Sequence, residues 1–163
     1  MKLKNKNIFG FTLVELLVVI SIIGILTMIG AVAFSGAQKK ARDTQRKTEL
    51  AAVSNALLMY YNDMGYFPEV TSFDALFDDD VGFTGPGEIV YMKGKPVDPK
   101  DDGESDSEYQ YVYKYLNDPK MFNLFTNLEN KSDSSCDKIW SIVDINSFCY
   151  GISSPNLTLR NWD

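Results

Sequence analysis

The order of apolar and polar positions gives the chain three textures. Phe11 to Phe34 reads FTLVELLVVISIIGILTMIGAVAF, 24 residues with one charge, Glu15, near the front. At about 1.5 Å per residue such a run crosses a hydrocarbon core of roughly 30 Å as a helix. It exceeds the roughly 7–15 residues of a signal-peptide core, and nothing in it alternates with period two. Past Phe34 polar residues enter without a stop signal. Leu50, Val53, Leu57, Tyr60 and Met64 then recur at spacings of three and four, which is one helical face. Gly65 stands where a helix ends and Pro68 prevents its resumption. The pattern predicts one helix from Phe11 to Met64, about 80 Å long, apolar all round in its first half and one-sided in its second.

From Gly65 the texture changes to short elements between turn residues. Asp74–Asp78 reads as a short helix and Ile89–Met92 as a short strand. Glu108–Leu116, EYQYVYKYL, places Tyr109, Tyr111, Tyr113 and Tyr115 on one face, and Met121–Leu128, MFNLFTNL, alternates again after a turn. These two form a hairpin, with a third strand expected near Ile139–Asp144. The fold class expected is α+β: a long N-terminal helix packed on a small antiparallel sheet of three or four strands through Leu50, Val53 and Leu57.

Charge adds a polarity. Lys+Arg count 16 and Asp+Glu 22 in 163 residues. Residues 1–64 carry eight basic and four acidic side chains, residues 65–163 eight and eighteen, so the balance runs from +4 to −10. An acidic C-terminal part repels phosphate backbones, and nucleic acid is not an expected partner. No histidine occurs, which removes the commonest general base and metal ligand. With no phosphate-binding glycine loop, nucleophile elbow or zinc spacing, no enzyme is expected and no catalytic or metal residue is assigned.

Glu15 admits three readings. Thr12-Leu13-Val14-Glu15 fits the T-x-x-E capping box at a helix start. Glu15 also suits a plain anchor whose carboxylate reaches back to the headgroups. Third, it suits pairing inside an assembly, because an unpaired carboxylate deep in a bilayer costs about 2.5–3.5 kcal/mol. A rival processing site, Ala31-Val32-Ala33 before Phe34, would instead release a soluble domain.

Gly10-Phe11-Thr12-Leu13-Val14-Glu15, after a Lys-bearing leader and before the apolar run, resembles the type IV prepilin signature shared by type II secretion pseudopilins. The order of elements through Tyr61-Asn62-Asp63, Tyr66-Phe67-Pro68 and Pro96-Val97-Asp98-Pro99 is most similar to the major pseudopilin. The resemblance implies cleavage between Gly10 and Phe11 by a prepilin peptidase, N-methylation of Phe11, and a meeting of Glu15 with the amino terminus of a neighbouring subunit. The implied organisation is a leader at 1–10, a transmembrane and assembly half-helix at 11–34, an amphipathic half-helix at 35–64 and an extracytoplasmic head at 65–163. Implied partners are the chain itself, other pilins, the membrane, the prepilin peptidase, and an assembly platform with its ATPase. The subunit would sit in the inner membrane as a single pass, then enter an extracytoplasmic filament, either a surface pilus or a secretion pseudopilus. A minor ligand-binding pilin and a non-polymerising anchored binding protein are the alternatives. Counting cations on each side of the span would place the head in the cytoplasm; the resemblance and the cysteines place it outside.

The major pseudopilin family also binds calcium in a C-terminal loop. The corresponding region here carries Asp133 and Asp137 together with Cys136 and Cys149. A Cys136–Cys149 disulfide in place of calcium is one expectation, two buried thiols the other. No cofactor is assigned, with calcium left open. Lys39, Lys40, Arg42, Arg46 and Lys47, relieved by Asp43, form a basic collar, read as a solvated helix face or as a contact for lipid headgroups or neighbouring heads. Asp98, Asp101, Asp102, Glu104, Asp106 and Glu108 form an acidic loop that nearly fits a calcium loop but has Lys100 at a ligand position. The tyrosine ladder reads as a strand face packed on the helix, with a ligand-stacking surface as its rival.

Overall fold

The computed structural model describes residues 11–101, 108–116, 121–136, 140–141 and 147–155. One helix, α1, runs Leu13–Met64. The chain divides into two units, the first ending at Gln38 and the second beginning at Lys39.

In the first unit, α1 is long and apolar enough to cross a membrane, and its described side chains are exposed from Leu13 onward. The hydroxyls of Ser21 and Thr27 do not break it. Ser21 donates to the Val18 carbonyl at 2.8 Å and Thr27 to the Ile23 carbonyl at 2.7 Å, so both stay satisfied without water.

In the second unit, α1 buries Leu50, Val53, Ala56, Leu57 and Tyr60. It stops where Gly65 takes a φ of +80° and its N–H reaches the Tyr61 carbonyl at 2.8 Å. A glycine occupies that left-handed position at little steric cost. The expected short helix is a single 3₁₀ turn, Asp74–Leu76. Strands β1 (Phe83–Thr84) and β2 (Val90–Met92) form an antiparallel ribbon of their own. Strands β3 (Val112–Tyr115) and β4 (Phe122–Thr126) form the expected hairpin, with Tyr113 opposite Leu124.

The third strand of that sheet lies elsewhere than expected. It is β7 (Tyr150–Ser153), antiparallel to β4 with Phe125 opposite Gly151. Of the expected third strand near Ile139–Asp144, only β5 (Trp140–Ser141) is described, and it pairs with β6 (Ser147–Phe148) in a separate ribbon. Packing explains the difference. A Cβ at Gly151 would lie 2.9 Å from the Phe125 ring and 3.0 Å from the Leu124 carbonyl, so this edge of β4 accepts a strand with glycine at that place. The Phe148 ring, just before β7, stacks on Phe125 at 5.7 Å.

One core joins helix and sheet: Leu50, Val53 and Leu57 cluster with Phe67, Phe73, Tyr111, Tyr113, Phe122 and Leu124. The tyrosines that drew attention in the sequence are part of it. Tyr113 is fully buried and donates to the Pro68 carbonyl at 2.8 Å, Tyr111 donates to Glu49, and Tyr115 donates to Glu69 at 3.1 Å. Tyr109 precedes the strand and lies over Arg46 and Lys100 instead. These contacts favour the packed-face reading over the ligand-stacking one.

Candidate functional site

Two constellations carry the chemistry, one in each unit. In the first, Thr12 and Glu15 close the capping box. The Thr12 N–H and hydroxyl both donate to Glu15 Oε2, at 2.9 and 2.7 Å, and the Glu15 N–H donates back to the Thr12 hydroxyl at 3.2 Å. Two donors at a helix start are thereby satisfied. Both bonds to the carboxylate use one oxygen, so Oε1 has no partner among the described residues. Phe11, just before the box, is 76% exposed. Gly10 and the leader lie outside the described residues.

The second constellation was not visible in the sequence as a site. The collar is a solvated face only at Lys39 and Lys40; Arg46 is fully buried and four-handed. Its Nε and Nη2 donate to the two oxygens of Asp98 at 2.7 and 2.8 Å, and its Nη1 to Asp43 at 2.8 Å and Glu129 at 3.1 Å. Arg42 grips Glu129 with two donors at 2.5 and 2.8 Å. Asp43 accepts the backbone N–H groups of Glu129 and Asn130 at 2.8 and 2.9 Å. Lys47 donates to Asp133 and to Ser135, each at 2.8 Å. Helix, loop and turn are thus joined by charge just beyond the apolar stripe.

The electrostatics follow from these contacts. Burial works against the charge of Arg46, but Asp98, Glu129 and Asp43 outweigh it and hold the guanidinium protonated above its ordinary range. The forked contact with Arg42, then Arg46, pulls Glu129 down to about 2 against the effect of burial. Lys47 and then Ser135 hold the Asp133 carboxyl well below the usual carboxylate range.

The acidic loop is likewise not simply solvated, because Asp98 is buried and spends both oxygens on Arg46. Its residues 102–107 lie outside the described ones. Cys136 and Cys149 are joined by a disulfide, Cα to Cα 4.4 Å, packed beside Leu128. In the same turn the ammonium of Lys47 lies on Asp133 Oδ1, which also accepts the Ser135 hydroxyl. A carboxylate so engaged is a poor fit to calcium; Asp137 lies outside the described residues. Among the described residues no group of three His, Cys, Asp or Glu converges as metal ligands.

The apolar helix with its capped start also matches known proteins. A family model described as the prokaryotic N-terminal methylation motif matches residues 5–31. Type II secretion system core protein G of Pseudomonas aeruginosa is 30% identical over 136 residues, covering 78% of this chain and 91% of that protein. The Vibrio cholerae protein of the same name is 33% identical over 112 residues, covering 67% and 73%. That of Aeromonas hydrophila is 34% identical over 94 residues, covering 55% and 66%. No solved structure matches the chain. Motif, apolar helix and antiparallel head agree: this chain belongs to the type IV pilin and pseudopilin family, alongside the type II secretion system core protein G proteins.

Proposed function

We propose that the chain is a structural subunit of a type II secretion pseudopilus, stored in the inner membrane as a single pass and polymerised through its N-terminal helix. A prepilin peptidase hydrolyses the bond between Gly10 and Phe11, and the freed Phe11 amine is methylated. The head stays outside the cytoplasm, and a membrane platform with its ATPase extracts the subunit into a filament of its own copies and other pilins. The subunit supplies shape and contacts, not catalysis, and the reading assigns it no cofactor.

The observation that carries this reading is the division of labour in Glu15. Oε2 caps its own helix, and Oε1 has no partner among the described residues; in this reading it receives the amine of a neighbouring subunit. A carboxylate with one satisfied oxygen is less costly to hold at the membrane than a bare one, and the remaining oxygen gains most when a cation arrives.

The test has two parts. Intact-mass analysis of protein from its native cell is expected to show a chain starting at N-methylated Phe11. A start at Met1 would leave a simple anchor, and a start at Phe34 a released domain. Glu15→Ala and Glu15→Gln are both expected to insert in the membrane and to lose filaments. Wild-type filament yield from Glu15→Gln would refute the role of the charge, because the amide oxygen still caps the helix.

A further inference from the structure

We propose that Lys39 and Lys40 of one subunit dock on the β1–β2 ribbon of a second copy of this chain. The inference rests on the assembly reading above and deepens it.

The basic collar divides in two. Arg42, Arg46 and Lys47 are consumed within the chain by Glu129, Asp98, Asp43 and Asp133. Lys39 and Lys40 are exposed, and their ammonium groups have no ion pair or hydrogen bond among the described residues. The β1–β2 ribbon shows the converse. Among the described residues it is not hydrogen-bonded to the β3–β4–β7 sheet, and apolar side chains in and beside it stand in water: Val90 of β2 is 41% exposed, and the adjoining Val81 and Ile89 are 47% and 46% exposed. Asp79 and Asp80 lead into it, both exposed and without ion pairs among the described residues. Asp78 beside them is spent locally, accepting the N–H groups of Asp80 and Val81 at 3.0 and 3.2 Å.

The occupant follows from complementarity of sign. The chain's own collar partners are Asp98, Glu129 and Asp133, so the carboxylates beside the ribbon do not serve the same chain's lysines. Those carboxylates repel anionic headgroups and attract ammonium groups. The half-exposed valines and isoleucine supply apolar area that an exposed ion pair alone lacks. A basic patch and an acidic, apolar patch at different places on one chain make a heterologous contact. Such a contact builds an open filament wherever its rotation does not close into a ring.

The experiment uses the full chain in a cell carrying its assembly machinery, with sheared filaments as readout. Lys39→Glu/Lys40→Glu and Asp79→Lys/Asp80→Lys are each expected to lower filament yield about tenfold, since reversal turns attraction into repulsion. The four substitutions together are expected to restore most of it. In wild-type filaments a zero-length carbodiimide is expected to link Lys39 or Lys40 to Asp79 or Asp80. Mixing isotope-labelled and unlabelled subunits should show those links to be between chains. Failed rescue together with absent links overturns the proposal even if wild-type filaments form. If Lys39→Glu/Lys40→Glu instead abolishes binding to phosphatidylglycerol vesicles while Asp79→Lys/Asp80→Lys assembles normally, the lysines serve lipid and the proposal falls. If the wild type neither assembles nor starts at Phe11, the assembly reading itself has failed, which is a separable result.

Discussion

Arg46→Met tests whether the ionic seam holds the head to its helix. The substitution keeps an unbranched stem of similar reach and removes the guanidinium. Asp98 then loses both its side-chain bonds to the helix, at 2.7 and 2.8 Å, and Asp43 and Glu129 each lose one. Asp43 keeps two backbone amides and Glu129 keeps Arg42, so the losses do not sum. The main cost is Asp98, a carboxylate whose side chain is 0% exposed and which is left, among the described residues, with the Lys100 N–H at 2.9 Å as its hydrogen-bond donor. Removing one partner of a buried ion pair costs about 3–5 kcal/mol. In a head of this size that corresponds to a fall in Tm of more than about 10 °C. The assay is urea unfolding of the full chain in detergent micelles, followed by tryptophan and tyrosine emission. Arg42→Met is the control: its side chain is 29% exposed and its partner keeps other cations, so about 1 kcal/mol is expected. If Arg46→Met costs no more than Arg42→Met, the seam is not what secures the head.

Three further outcomes follow from the same geometry. Glu129 is held at about 2 in the folded chain, against about 4.3 when unfolded, so its contribution is complete above about pH 4.3 and is lost as pH falls toward 2. Urea midpoints measured from pH 6 to 2.5 are expected to drop over that window, and Glu129→Gln to flatten the drop. Gly151→Ala pushes a methyl against the Phe125 ring and the Leu124 carbonyl, and is expected to cost about 1–3 kcal/mol in urea midpoint measurements. Reducing the Cys136–Cys149 disulfide, or replacing both cysteines by serine, releases a loop with a sequence separation of 13 and is expected to cost about 3 kcal/mol in a thermal melt.

The helix was legible because its signals are local: an apolar run, a three-and-four stripe, then Gly65 and Pro68. The capping box was legible for the same reason, its partners being three residues apart. The seam was not, although half of it lay on the stripe. Asp43 and Arg46 continue the series Leu50, Val53, Leu57 toward the N-terminus at the same spacing, and both are buried. A count restricted to apolar residues stops at Leu50 and leaves them as solvated charges. Their partners lie far along the chain, Asp98 at 52 residues from Arg46 and Glu129 at 83, and pairing at that range leaves no period to read. Strand β7 was missed because Gly151 lowers its strand propensity, whereas the run at Ile139–Asp144 is rich in β-formers.

The exchange of apolar for ionic contacts along one stripe has a physical consequence. Buried ion pairs rarely add stability beyond what apolar packing of the same volume provides. What they are expected to add here is alignment. Leu50, Val53 and Leu57 tolerate small slides against the sheet, because the hydrophobic effect is non-directional. Arg46 does not, because its four bonds end on Asp43 of the helix, Asp98 of a loop and Glu129 of a turn, and one placement satisfies all of them. In the filament proposed above, a repeated subunit would multiply any error in how its sheet is set on α1, so uniqueness would outweigh depth of stability. The double variant Arg46→Met/Asp98→Leu separates the two. With the orphaned carboxylate gone it should regain at least about 1 kcal/mol over Arg46→Met alone, a coupling of the size contacting residues show. Its amide spectrum should nevertheless split at the residues flanking 98 and 129. Recovery of stability with a single set of resonances would refute the alignment role and leave the seam as ordinary packing.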